Sequence, residues 1–278
     1  VSGRLVVCPT PIGNLEDVTL RVLAALRAAD LVACEDTRHT RTLLDRYGVT
    51  GALVSYHEHN ERERSAELVK RMRAGAVVAL VSDAGMPLVS DPGFILVQAC
   101  IAAGLSVEVL PGPSSALAAL VASGLPTERW RFVGFLPRKK GELERLLVAT
   151  PETLVAFESP ARLVATLALL AEKDPRRAVA VCRELTKLHE EVRRGSAAEI
   201  CAHYQQAPPR GEVVLVVAAA PAGAGAPELA ERAAVALQAL VDAGARPRPA
   251  AKALSELTGV PANRLYRTLT DGGAGSAG

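Results

Sequence analysis

Across its first half the chain alternates short runs of apolar, β-branched residues with stretches whose apolar positions recur every three or four residues. Arg4–Val7 predicts a strand that ends at the turn Pro9-Thr10-Pro11-Ile12-Gly13-Asn14. Asp17–Ala28 predicts a helix, with Val18, Leu20, Val22, Leu23 and Leu26 as its apolar positions. Leu31–Cys34 is the next strand; Glu35-Asp36-Thr37-Arg38 follows, then a helix from about His39 to Tyr47, stopped by Gly48. Leu53–Tyr56 reads as a short strand, Glu61–Arg73 as a polar helix, and Val77–Val81 as a strand apolar on both faces. A helix near Phe94–Ala103, a strand at Val107–Leu110 and a helix at Ser114–Ser123 complete the series. This rhythm predicts an α/β fold with a mostly parallel sheet between two layers of helices.

After Leu125–Trp130, which reads as a linker, the order becomes strand, helix, strand, helix, strand, strand, helix, strand. The strands are Phe132–Phe135, Thr153–Phe157, Ala178–Cys182, Glu190–Arg193 and Glu212–Val217, giving a second α/β domain with antiparallel pairing. The Ala/Gly/Pro-rich stretch Ala218–Pro227 reads as a tether. Three helical patterns follow at Glu228–Ala243, Pro249–Leu257 and Pro261–Leu269, the last two joined by Thr258-Gly259-Val260 in a helix-turn-helix manner. The expected division is therefore residues 1–124 and 125–219 as α/β domains, 220–227 as a flexible linker, 228–271 as a helical module and 272–278 as a disordered tail.

Composition narrows the function. With 278 residues, 49% of them hydrophobic, the chain builds a substantial core, and with 3% aromatics that core is Ala, Val and Leu. A net charge of +2 confines any nucleic-acid contact to local patches. Five widely spaced cysteines without a C-x-x-C pair support neither a disulfide framework nor a zinc site, and they fit a reducing, cytoplasmic setting; no metal is expected. No apolar run has bilayer-spanning length, no signal-peptide pattern opens the chain, and no membrane association is expected. There is neither a G-x-G-x-x-G fingerprint in the first domain nor a P-loop, which disfavours a dinucleotide site and a P-loop nucleotidase.

Three turns fall at strand C-termini, the edge where open α/β sheets bind ligands. They are Pro9–Leu15, Ser82–Gly93 and Leu110–Ala116, each rich in Gly, Pro or Ser. In the second, Asp83 and Asp91 suit a cationic ligand; Asp91, in Asp-Pro-Gly before a helix, reads first as its N-cap. In the third, Ser114 or Ser115 either caps the helix or leaves first-turn amides for a ligand. Phe157–Arg162 and Arg183–Glu190 place charges at strand ends of the second domain, with Glu158 and Arg162 spaced as a helix-start ion pair.

At these residues the chain resembles the tetrapyrrole methylase superfamily. The stretches that carry the resemblance are PTPIGNLEDVTLRVL, ACEDTRHT, LVSDAGMPLVSDPG, VLPGPSSA, FVGFLPRKKGE, AFESPARL, CRELTKLHEE and RGEVVLVV, in order along the chain, with AAKALSELTGVPANRLYRTL beyond them. Porphyrin-modifying members carry Gly-Pro-Gly-Asp-Pro after the first strand and Gly-Gly-Asp-Pro later. Here Pro11-Ile12-Gly13-Asn14 and Ser82-Asp83-Ala84-Gly85 stand in those places, so the resemblance is to the branch that modifies ribosomal RNA.

The resemblance implies two α/β domains with S-adenosyl-L-methionine in the cleft between them, a small C-terminal helical module, and a homodimer. It implies methylation of a cytidine ribose 2′-hydroxyl in the decoding region of 16S ribosomal RNA, with the small ribosomal subunit as partner. By motif position the cofactor would meet Pro11, Ile12, Ser82, Asp83, Ala84, Gly85, Leu88, Ser114, Ser115, Phe157, Glu158 and Leu185. A base would assist the hydroxyl, and Glu158 and Lys187 are the candidates, Lys187 only if its pKa is lowered and otherwise as a phosphate contact. RNA contacts are expected from Arg38, Arg41, Arg138, Lys139 and Lys140, and from Arg193 and Arg194; basic runs alone usually mean a solvated surface, and 138–140, on a loop beside the inferred cleft, is the best candidate. The C-terminal helices, with Arg246, Arg248, Lys252, Arg264 and Arg267, serve either as an RNA-docking module or as a helical cap. Two other readings stay open: a porphyrin or corrin methyltransferase, and a ribosome-binding factor without catalysis.

Overall fold

The computed structural model describes residues 3–221 and 226–271. The expected tail at 272–278 lies outside them, as do residues 222–225 of the expected linker, whose last two residues instead begin a helix. In chain order the elements are β1 (Arg4–Val7), α1 (Leu20–Ala28), β2 (Leu31–Cys34), α2 (Thr37–Arg46), β3 (Leu53–Ser55), α3 (Glu61–Arg73), β4 (Val77–Leu80), α4 (Phe94–Ala102), β5 (Ser106–Val109) and α5 (Ser115–Ser123). They continue as β6 (Trp130–Phe135), α6 (Lys140–Ala149), β7 (Thr153–Glu158), α7 (Pro160–Lys173), β8 (Ala178–Arg183), β9 (Glu191–Ser196), α8 (Ala197–Gln206), β10 (Val213–Val217), α9 (Ala226–Asp242), α10 (Pro247–Thr258) and α11 (Ala262–Asp271).

The first sheet has the order β3-β2-β4-β1-β5, parallel at every pairing. Its strands are apolar at successive positions, so neighbours point to opposite faces and both faces bury. Val6, Cys8, Val32, Cys34 and Ala79 pack on one side with Val22 and Leu26 of α1 and Leu44 of α2. Leu5, Val7, Ala33, Val78 and Leu80 pack on the other with Leu68 and Met72 of α3 and Leu96 and Cys100 of α4. All five cysteines are free and buried. Burial pushes the thiols of Cys8 up to about 12 and of Cys100 and Cys182 to about 11, so these sulfurs serve as small core hydrophobes.

The second sheet has the order β6-β7-β10-β8-β9. Only β6 and β7 are parallel; β10 runs antiparallel between β7 and β8, and β9 folds back on β8. One face is covered by α5: Ala116, Ala119 and Leu120 join Val155, Ala180, Cys182, Val214 and Val216, together with Ile12 from the first turn. Thus α5 follows the last strand of the first sheet in sequence yet packs on the second. On the other face α7 and α8 pack against each other, and α8 is fixed by a capping box between Ser196 and Glu199.

Helix starts are set by side-chain caps that the periodicity alone misplaces. The helix expected from Asp17 begins at Leu20, because Thr19 accepts the Val22 N–H and Leu15–Asp17 forms a separate 3-10 turn capped by Asn14. The helix expected from about His39 begins at Thr37, because the Asp36 carboxylate accepts the Arg38 N–H at 2.8 Å. The expected cap at Asp91 is corrected: Gly93 holds the N-cap position of α4 at φ 137, with no side-chain cap bond. Of the two serines offered as caps for α5, Ser114 takes the role, accepting the Leu117 N–H at 3.4 Å.

Residues up to Arg138 and Glu152–Ala218 form one compact unit, which holds both sheets; Lys139–Pro151 and the chain after Ala218 form another. In the latter, Ala230, Ala233 and Leu237 of α9 pack with Ala251, Val260 and Leu265, and Gly259 closes α10 at φ 72 in the left-handed region. Arg248 stacks over the Tyr266 ring at 5.7 Å. No helix among the described residues is long and apolar enough to cross a membrane.

Leu120, 4% exposed between α5 and the second sheet, is the side chain whose truncation tests this packing. Leu120→Ala is expected to destabilise the chain by about 2–5 kcal/mol, read as a lower urea midpoint at unchanged slope.

Candidate active site

A cavity of about 400 Å³ opens where the C-terminal ends of β1, β4, β7 and β8 meet the start of β10. That volume lies in the range of small-molecule sites. Its first-sheet side is the turn after β1, the loop after β4 and the N-terminus of α5; its second-sheet side is Phe135, the 157–160 segment, 184–185 and 211–214. A smaller cavity of about 220 Å³ shares Ile12, Ala84 and Glu212 with it and reaches Pro11, Ser82, Asp83 and Lys187.

The turn after β1 is clamped from both sides. Thr10 and Gly85 exchange backbone hydrogen bonds at 2.9 and 3.0 Å, and the Thr10 hydroxyl donates to the Ser82 carbonyl at 2.9 Å. The Ser82 hydroxyl donates to the Gly85 carbonyl, closing the Ser82–Gly85 turn on itself. Toward the second sheet, the Asn14 N–H donates to the Thr186 hydroxyl at 3.0 Å. Gly13 lies so close that a Cβ there would stand 2.5 Å from Lys187 Cγ and 3.0 Å from the Leu185 carbonyl. Only glycine fits.

The structure brings together Ile12, Ala84, Gly85, Ser114, Ser115, Phe157, Glu158 and Leu185 in the larger cavity. Pro11, Ser82, Asp83 and Lys187 line the smaller one. Leu88 lines neither: it packs against the first-sheet core, where a Cβ on Gly93 would come within 2.7 Å of its Cδ1. Asp83 has a structural task, its Oδ1 accepting the Asp36 N–H at 3.1 Å.

The two candidate bases are both engaged. Glu158 is buried; one carboxylate oxygen accepts the Ser159 N–H at 2.8 Å, and the other accepts the Thr166 hydroxyl at 2.6 Å and faces Arg162 at 3.5 Å. Arg162 in turn donates to the Leu136 and Pro137 carbonyls, so Glu158 anchors the end of β6 to the start of α7. Lys187 pairs with Glu184 at 3.0 Å and Glu212 at 3.1 Å. Burial works against its charge, but the two ion pairs outweigh burial and raise its pKa, the opposite of what a lysine base requires. Glu184 is held below the usual carboxylate range by the Glu212 N–H and by Lys187.

Among the expected RNA contacts, Arg38 is exposed and bonded to Asp36, whose carboxyl that pairing lowers. Arg41, Arg138 and Lys140 are exposed, and Lys139 pairs with Glu142 at 3.2 Å. Arg194 is exposed, and its guanidinium donates to the Ala122 carbonyl near the end of α5. Arg193 pairs with Glu191 at 3.0 Å.

Residues outside the expected cofactor set also line the larger cavity, notably Phe135, Glu184, Glu212 and Asp91. Phe135 and Phe132 both meet Phe157 edge to face, at 5.5 and 5.1 Å, forming an aromatic corner. Asp91 stands apart electrostatically. Burial, with Glu35 and Asp83 facing it, pushes its carboxyl up to about 7. Glu35 is itself raised, by burial and by Asp83 and Glu58. The cavity thus combines an aromatic and aliphatic wall, a floor of small residues and several carboxylates, a setting for a flat apolar ring joined to a cationic group.

A family model described as tetrapyrrole (corrin/porphyrin) methylases matches residues 4–201. The chain belongs to the tetrapyrrole methylase family. A relative of this methylase from Mesorhizobium japonicum, named ribosomal RNA small subunit methyltransferase I, is 47% identical, covering 98% of this chain and 92% of the relative. One of the same name from Thermotoga maritima is 43% identical over 77% of this chain and 98% of its own. Among solved structures, a uroporphyrin-III-C-methyltransferase from Thermus thermophilus matches the methylase with a TM-score of 0.56 at 26% identity, covering 78% of this chain and 94% of that one.

Gly13→Ala in this methylase is expected to cost about 1–3 kcal/mol through overpacking, lowering the melting temperature by several degrees. Gly51→Ala, whose Cβ would meet only Val32 at an ordinary 3.6 Å, is the control and should melt close to the parent chain.

Proposed function

We propose that this chain methylates small-subunit ribosomal RNA with S-adenosylmethionine, at the ribose 2′-oxygen of a cytidine in the decoding region. The observation that carries the reading is near-full-length similarity, 47% over 98% of the chain, to a relative named for that RNA. The cavity supports it: Phe157 and Phe135 offer a wall for adenine, Ala84 and Gly85 leave room against the backbone, and the first-turn amides of α5 beside Ser115 suit a carboxylate. The acidic groups around the cavity favour a bound cation. S-adenosylmethionine, when bound there, supplies a methyl group on a sulfonium.

The chain's own part is to position and to exclude water. Glu158, with both oxygens occupied, is a positioning residue that fixes the cavity wall. Lys187, beside the smaller cavity and paired with Glu184 and Glu212, would meet a phosphate of the RNA strand only through the charge those pairs leave. Arg38, Arg41 and Arg138 would supply exposed positive charge for the flanking backbone, and Lys139 and Lys140 are exposed on the other unit. A second copy of the chain would dock on the outer face of α5, where Leu117 and Val121, four residues apart, are 50% and 75% exposed.

A corrin or porphyrin substrate is the alternative that the structural likeness to the Thermus thermophilus enzyme favours. Pro11-Ile12-Gly13-Asn14 and Ser82-Asp83-Ala84-Gly85 argue against it, because they replace the turns with which the porphyrin-modifying branch is marked. The test offers radiolabelled S-adenosylmethionine with small subunits lacking the modification, free ribosomal RNA and a precorrin in parallel. Label in the small subunit, recovered on a ribose 2′-oxygen, is the expected result. Label in the precorrin alone would overturn the substrate while leaving the cofactor site intact.

A further inference from the structure

We propose that Asp91 is the catalytic base of the methyl transfer, receiving the proton of the substrate ribose hydroxyl at the larger cavity. The inference rests on the function proposed above and assigns it a residue.

Four carboxylates line that cavity: Asp91, Glu158, Glu184 and Glu212. Three are committed. Glu158 is capped by Thr166 and the Ser159 N–H beside Arg162, and Glu184 and Glu212 share Lys187. Asp91 has no ion pair among the described residues, and it does not cap the helix that follows it. Among the four carboxylates on the wall, it is the one that no cation or helix end already uses.

The loop that carries it is held at two points. Leu88 and Ser90 adopt left-handed backbone at φ 71 and 68, a conformation that costs non-glycine residues of order 1–3 kcal/mol each. Leu88 is pinned in the first-sheet core, and Gly134 of β6 closes over the Ser90 hydroxyl, with room for a Cβ only at 3.2 Å. Asp91 is thus presented from a fixed support, as a base must be.

The groups facing Asp91 come from several elements. Glu35 approaches from the end of β2, with His57 and Glu58 behind it from the segment after β3. Asp83 approaches from the loop after β4, and the Ser82 hydroxyl pulls the other way only in part. Across the cavity stand Glu158 with Arg162, and Glu184 and Glu212 with Lys187. Burial, then the like charges, push the carboxyl up to about 7, where a general base both exists ionised and accepts a proton readily.

In the step, the 2′-O–H bond breaks and its proton passes to an Asp91 oxygen. The same 2′-oxygen forms the new bond to the methyl carbon. The sulfur–methyl bond breaks, and its electron pair stays on sulfur as a neutral thioether. Asp91 returns the proton to water once the products have left.

The test compares the full chain with Asp91→Asn and Asp91→Glu, using undermodified small subunits as acceptor and calorimetry for S-adenosylmethionine and S-adenosylhomocysteine. Asp91→Asn should bind both within about threefold of the parent and lose roughly 100-fold or more in kcat. The parent should lose kcat/KM below an acid limb near pH 7; the variant should lack that limb, and Asp91→Glu should recover part of the rate. A second readout needs no turnover. A carboxyl at about 7 folded and about 4 unfolded holds its proton more tightly in the folded chain, so its contribution to stability is lost as pH rises from about 4 to about 7. The melting temperature of the parent relative to Asp91→Asn should fall across that window.

The proposal is overturned if Asp91→Asn turns over within about threefold of the parent, or if its loss lies wholly in S-adenosylmethionine affinity, which would make Asp91 a partner of the sulfonium. Should Asp91→Asn fail to fold, Glu35→Gln decides: removing that negative neighbour should move the acid limb to lower pH, and an unmoved limb overturns the proposal. Failure of the underlying reading looks different, since the parent would then bind S-adenosylhomocysteine and label no small subunit at any pH.

Discussion

The structure depends on a single close contact: a glycine turn from the first sheet seated against a loop of the second. Gly13 leaves no room for a side chain beneath Lys187 and Leu185, and the adjacent Ile12 enters the apolar cluster under the second sheet. The same turn is tied back to the first sheet by the paired hydrogen bonds between Thr10 and Gly85. With α5, which follows the first sheet and packs on the second, this short segment ties two separate hydrogen-bonded sheets together. The cavity walls are the strand ends that this tie leaves facing each other. A ligand site built this way has its precision fixed by van der Waals contact rather than by adjustable side chains.

The electrostatics follow from that frame. Strand ends concentrate loops, and here the loops carry acid on both sides of the cavity. On the second-sheet side each acid has a counter-charge, Arg162 or Lys187, and is held in place by it as a strut. On the first-sheet side Glu35 and Asp91 lie beside Asp83 without such partners, and burial with these like charges raises both of their carboxyls. Two populations of carboxylate with different proton affinities then share one small volume. That separation is a general means of dividing structural from chemical work among like groups.

Much of the fold was legible because the apolar pattern is regular. Arg4–Val7, Leu31–Cys34 and Glu61–Arg73 are found at the limits read from periodicity. Where limits moved, a polar cap moved them, as Thr19 and Asp36 did for α1 and α2. The site was legible where a motif ends a parallel strand, as at Ile12, Ala84, Ser115 and Phe157. It was illegible at Glu212, because that residue begins a strand and reaches the cavity only through the antiparallel direction of β10. Asp91 was misread because Asp-Pro-Gly before a helix is a strong capping signature. Only the backbone shows that Gly93, turned to φ 137, takes the cap position and leaves the carboxylate to the cavity. Leu88 stands next to cavity residues in sequence, but its left-handed backbone goes with a side chain packed into the core.

The placement of α5 bears on how such a chain is inherited. It closes the first half of the sequence, yet its buried face, Ala116, Ala119 and Leu120, completes the apolar cluster of the second sheet. A break after residue 124 would strip that sheet of its cover and leave α5 on the other fragment with an unburied face. Neither fragment would carry a finished interior. Exchange of halves between relatives at that point would join surfaces never selected together. The sheets, the helix and the turn between them form one indivisible block, and sequence change within it must be concerted rather than modular.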